Sequence, residues 1–127
     1  MKKAMLQENL SMGIINGLEM KRSLSDIEVI PTSHNVGEKR VLLPASMSDC
    51  SITQIAITDF HAGEVARAHV HVDMQEGFYV LRGELDIILD GKTEHCKAED
   101  FIYVKCGISH ELRAVTDVRI MTIGCEV

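Results

Sequence analysis

No stretch of the chain is apolar for long enough to cross a bilayer, so no transmembrane helix is expected. Basic residues accumulate nowhere. With a formal charge of -6 and a pI of about 5.4, the chain lacks a phosphate-backbone footprint, and nucleic acid is not an expected partner. Cysteine is scarce and scattered: Cys50, Cys96, Cys106 and Cys125 show no C-x-x-C spacing. They read as reduced thiols, mostly small buried hydrophobes. Cys106 stands apart because it lies close in sequence to His110. Lys2 and Lys3 are followed by Gln7, Glu8 and Asn9, which interrupt the apolar residues. That is a poor signal peptide, and a cytoplasmic location is expected. There is no G-x-S-x-G, no phosphate-cradling glycine loop, no dinucleotide fingerprint and no internal repeat.

What the chain does have is strand punctuation. Its 127 residues suit one domain able to bury a core without disulfides or a structural metal. From Ile27 onward, short apolar or alternating runs occur at 27–30, 40–43, 51–57, 66–72, 77–81, 85–89, 101–104, 110–114 and 117–123. Between them stand Pro31, Pro44, Gly63, Gly83, Asp90-Gly91 and Gly107. This rhythm predicts an all-β sandwich or barrel over 26–127. Asp90-Gly91 predicts a two-residue hairpin, because a type I′ turn needs positive φ at both positions. Residues 1–25 differ. Met5, Leu6, Leu10, Ile14, Ile15 and Leu18 are spaced for an amphipathic helix, which Gly13 and Gly17 weaken. This arm is expected either as a helix packed on the barrel or a partner, or as a disordered leader.

The chemistry concentrates in A-R-A-H-V-H-V. Residues two apart on a strand share a face, so His69 and His71 project together as a platform for a transition metal. Read alone, the pair is equally one surface and one packed histidine. Glu76 follows after V-D-M-Q and can fold back with a carboxylate oxygen. His110, after Gly107, can supply a third imidazole from across the barrel. By strand parity Arg67 shares the face of His69 and His71, as a cationic handle for a carboxylate or phosphate, or snorkelling at the mouth. Phe78 and Val80 share the face of Glu76 and are expected as apolar wall. Tyr103 offers a hydroxyl, or is a core aromatic with its OH at the surface. Gln54 and Gln75 are expected as hydrogen bonders behind the ligands, and His61 as a group near the mouth. Tyr103, Arg67 and His61 are the nominees for catalytic acid, base or handle. His34 and His95 read as loop or edge residues.

The stretch G-E-V-A-R-A-H-V-H-V-D-M-Q-E-G-F-Y-V-L-R-G, from Gly63 to Gly83, resembles the first signature motif of the cupin superfamily at every fixed position. The second motif is partial: Gly107 and His110 are in place, but Glu99 stands for the usual Gly, Lys105 for Pro and Ala114 for Asn. The resemblance implies a jelly roll of two antiparallel sheets with a metal inside one mouth. It carries the ligand role onto His69, His71, Glu76 and His110. Such a set suits Fe, Mn, Co, Ni or Zn. The missing helix-turn-helix argues against the transcription factors that contain a cupin.

The resemblance therefore implies a metalloenzyme of dioxygenase, isomerase or lyase type acting on a small organic molecule. The alternative is a non-catalytic cupin holding a sugar, metabolite or metal, which an inward wall apolar apart from the ligands would favour. A homodimer, paired through a sheet edge or face, is expected.

Overall fold

The computed structural model describes residues 13–15 and 19–127. Among these residues, twelve strands form three antiparallel sheets. Strands β1 (Gly13–Ile15) and β2 (Glu19–Lys21) make a two-stranded hairpin. A six-stranded sheet runs in the order β10 (Phe101–Val104), β7 (Met74–Arg82), β12 (Val118–Glu126), β5 (Ile52–Phe60), β4 (Glu38–Pro44), β3 (Ile30–Pro31). A four-stranded sheet runs β6 (Val65–His69), β11 (His110–Ala114), β8 (Glu84–Leu89), β9 (Lys92–Lys97). This is the jelly roll that the cupin resemblance implies, within the all-β class that the punctuation predicts.

Three expectations change. The helical alternative for the arm does not hold at 13–15 and 19–21, which are extended; Gly13 disfavours a helix there. The rest of that segment up to residue 18 lies outside the described residues. The strand expected at 27–30 shrinks to Ile30–Pro31, because a 3-10 turn at Leu24–Asp26 leads into a bend that buries Ile27. The run expected at 66–72 ends as a strand at His69, so His71 lies beyond it. No described helix is long and apolar enough to cross a membrane.

The barrel is held by inward stripes that alternate with period 2. Phe78 and Val80 on β7, Leu85 and Ile87 on β8, Leu112 and Ala114 on β11, and Val118 and Ile120 on β12 meet in one core. Cys96 on β9 joins them. Burial, with the negative charges of Asp100, Glu94 and Asp86, pushes its thiol up to about 11. It is the one buried thiol; Cys50 is exposed, and Cys106 and Cys125 are partly so, against the expectation that most would be buried.

The same stripes turn polar toward one end. On β7 the order runs Val80, Phe78, Glu76; on β12, Ile120, Thr122; on β11, Leu112, His110. Register confirms the layering: Val80 pairs with Ile120, Phe78 with Thr122 and Glu76 with Gly124. Apolar side chains therefore close one end of the barrel, and polar ones gather at the other.

Turns hold this arrangement in place. Asp90 and Gly91 both have positive φ (47° and 85°), as a type I′ turn requires, and join β8 to β9. Asp90 also accepts a hydrogen bond from the Ser109 N–H at 2.9 Å, tying the hairpin to the residue before His110.

Candidate metal centre

Four side chains converge at the polar end. One ligand atom from each of His69, His71, Glu76 and His110 lies within 4.8 Å of the others. Glu76 and His110 are buried, and the two other histidines are half-buried. His69 ends β6 and pairs directly with His110 at the start of β11. The third imidazole thus comes from the neighbouring strand rather than from across the barrel. Glu76, in the other sheet, is the group that crosses.

A β-bulge sets the aim of His69. Between the pairs His69–His110 and Ala66–Leu112, β6 has two residues, Arg67 and Ala68, opposite the single Glu111. The extra residue reverses the parity, so Ala66 and His69 both face inward. Arg67, which strict alternation would place beside the histidines, is exposed and does not line the cavity. The expectation of an inward Arg67 is corrected by that bulge.

Hydrogen bonds fix the imidazole tautomers. His69 Nδ1 lies 3.1 Å from the Arg67 carbonyl, and His110 Nδ1 lies 3.0 Å from the Ile108 carbonyl. Each Nδ1–H donates to that oxygen, which leaves Nε2 as the atom available to a metal. Glu76 Oε1 sits 3.1 Å from His110 Nε2 and 3.2 Å from His71 Nε2. The rings crowd together, with centroids 4.1 Å apart for His69 and His110 and 4.7 Å for His69 and His71.

The electrostatics follow from this crowding. Burial pushes the Glu76 carboxyl up, but the His110 hydrogen bond and the charges of His71, His110 and His69 outweigh it and hold it below its usual value. Burial opposes the charged form of His110, yet the Glu76 hydrogen bond and the Ile108 carbonyl raise it overall. Burial lowers His69, with the other imidazoles adding to the effect against the Arg67 carbonyl. A buried carboxylate beside three imidazoles with preset Nε2 atoms fits a divalent transition metal.

The site opens into a cavity of about 230 Å³. Phe78 lines it as expected, while Val80 lies deeper in the core. Gln54 lines it and accepts a hydrogen bond from Lys39 Nζ at 3.4 Å. Gln75 does not line it, and accepts from the Tyr103 hydroxyl instead. Tyr103 is 51 % exposed and points away from the cavity, because it shares the outward face of β10 with Phe101. His61 is also distant from the ligands. Its side chain is exposed beside Asp117, against a second cavity lined by Asp59, Arg82 and Arg119.

Two ionisable cavity residues escape a reading of the sequence. His34 sits in the loop between β3 and β4, with its ring 4.4 Å from that of His69. Burial lowers its pKa. A turn has no periodicity, so nothing in T-S-H-N signals this contact. Lys39 on β4 lines the cavity, although E-K-R-V alternates without showing which face is inward. The only available signal is its parity with Val41. His95, read as an edge residue, does lie on an edge strand and bridges Glu84 and Asp86.

Comparison with known proteins agrees with this architecture. The cupin domain family profile matches residues 56–124, just over half of the chain. A curated polyketide synthase CurC from Streptomyces cyaneus is 26 % identical over 100 residues, or 78 % of this chain. The match spans 65 % of that relative's length. Among solved structures, one described as a predicted oxalate decarboxylase from Thermotoga maritima superposes with a TM-score of 0.77 at 23 % identity. It covers 85 % of this chain and all of that one. Ectoine synthase from P. lautus gives 0.74 at 20 %, covering 84 % and 78 % of the two chains. With the profile, the jelly roll and the motif all in agreement, the chain belongs to the cupin superfamily as one of its small members.

Proposed function

We propose that His69, His71, Glu76 and His110 hold one divalent transition metal ion, and that the protein is a metal-dependent enzyme acting on a small organic molecule. The observation that carries this reading is the convergence of one ligand atom from each of the four side chains within 4.8 Å, with Nδ1 of His69 and of His110 held by a backbone carbonyl. When bound, such an ion supplies Lewis acidity to a coordinated oxygen, and iron would add oxygen chemistry.

The chain's own residues do the rest. Glu76 contributes the negative charge, and its burial keeps competing water away. Phe78 and Ile120 form the apolar floor. Thr58, Thr122 and Gln54 offer hydrogen-bonding groups on one wall, and His34 stands at the open side. A wall with so many polar groups favours turnover over simple storage, because chemistry needs groups beyond the ligands. The relatives named as a decarboxylase and as synthases are in keeping with a dioxygenase, isomerase or lyase type of reaction.

The test is elemental analysis after loading with Fe, Mn, Co, Ni or Zn. One ion per chain is expected for the parent. Glu76→Gln should lower metal affinity by at least about 10–100-fold, the range typical when only a partner behind a ligand is lost. Metal content of zero in the parent, or equal affinity in Glu76→Gln, would overturn the reading.

The same reading includes a homodimer formed through the outer face of the six-stranded sheet. Phe101, Tyr103, Leu81 and Ile123 are 57, 51, 37 and 38 % exposed there. Large apolar side chains gathered on one sheet face mark an association surface.

A further inference from the structure

Lys39 is the only lysine or arginine among the described residues that line the cavity. Its ammonium makes no ion pair with any described residue. Its one hydrogen bond, to Gln54 Oε1, is long at 3.4 Å. Burial pulls its pKa down, and the negative charge of Glu76 only partly offsets this. A cation half-withdrawn from water without a counter-ion is costly unless something anionic occupies the space beside it.

The charge count points the same way. Three neutral imidazoles and one carboxylate around a divalent ion leave a net charge of about +1, and Lys39 adds another. Apart from Glu76, none of the described residues that line the cavity is acidic. Its volume, about 230 Å³, lies below the roughly 300–1,000 Å³ of pockets for drug-sized ligands, so the occupant is small.

We propose that Lys39 anchors a carboxylate of the substrate. The cavity then takes a small molecule that presents a metal-coordinating oxygen at one end and a carboxylate at the other. This rests on the metal reading above. Gln54 holds the ammonium in place, and the Thr58 and Thr122 hydroxyls serve the part of the molecule between the two ends. A charge-assisted hydrogen bond in a partly dry site selects the carboxylate over neutral analogues.

The test pairs ligand with protein. Protein loaded with Mn(II) is titrated calorimetrically with butanohydroxamate and with the mono-hydroxamates of malonic and succinic acid. All three can chelate the metal; only the last two carry a carboxylate at the far end. In the parent, the better-fitting acid should bind at least about tenfold more tightly than butanohydroxamate, the scale of one charge-assisted hydrogen bond. In Lys39→Met that advantage should vanish, while metal content and butanohydroxamate affinity stay unchanged; Lys39→Arg should restore part of it. No carboxylate advantage in the parent would overturn the proposal without recourse to any variant. An advantage that survives intact in Lys39→Met would overturn it as well. Parent protein that takes up no metal would instead overturn the metal reading, and this proposal with it.

Discussion

Glu99 adopts a left-handed backbone conformation, φ 76°, in the turn between β9 and β10. Its N–H donates to the Val80 carbonyl at 2.7 Å, so the turn cannot relax without losing contact with β7. A side chain in this region costs about 1 kcal/mol relative to glycine. This gives a physical reason for the glycine that the second cupin motif usually has here. Glu99→Gly should raise stability by about 0.5–1 kcal/mol, measured as a higher urea midpoint at unchanged slope. An unchanged or lower midpoint would refute the strain argument. At this scale the four converging side chains were legible, because His69, His71, Glu76 and His110 stand at the spacing of the cupin motifs. Lys39 and His34 were not, since neither a lysine in an alternating strand nor a histidine in a turn declares which way it faces.

At the level of elements, the bulge in β6 separates what alternation can predict from what it cannot. Parity gives the correct inward residues on β7, β8, β11 and β12, where pairing near the core is regular. It fails for Arg67, because one extra residue reverses every side chain that precedes it on the strand. The glycines that bound the first motif also differ in kind. Gly63 and Gly83 both have positive φ, 88° and 85°. A Cβ on Gly63 would meet nothing within 4 Å, whereas one on Gly83 would lie 2.1 Å from the Asp117 carbonyl oxygen. Gly63→Ala should therefore cost about 1 kcal/mol, and Gly83→Ala more, on the order of 2–4 kcal/mol. Parallel chemical denaturation would check the ranking; equal losses would show that backbone conformation alone matters at both sites.

For the whole molecule, strand rhythm led to the all-β class and the cupin resemblance to the jelly roll, but the N-terminal hairpin was hidden by a spacing that suits a helix equally well. The outer face of the six-stranded sheet gathers exposed large apolar side chains, Phe101, Leu81 and Ile123 among them. Ile123 lies at its centre on β12, pairing with Ile55 and Gly77. If this face joins two copies, sedimentation of the parent at micromolar concentration should give twice the chain mass, and Ile123→Glu should give a monomer with normal metal content. A monomeric parent, or a dimeric Ile123→Glu, would place association elsewhere or nowhere.

The division of the inward stripes into an apolar end and a polar end has an evolutionary consequence. The side chains that give the barrel its cohesion, such as Leu85, Ile87 and Val80, are not the ones that a ligand would meet. Lys39, Gln54, Thr58 and Thr122 can drift or be redesigned for a new molecule while the sealed end continues to specify the fold. A chain of this size thereby keeps a fixed chassis and an interchangeable tool.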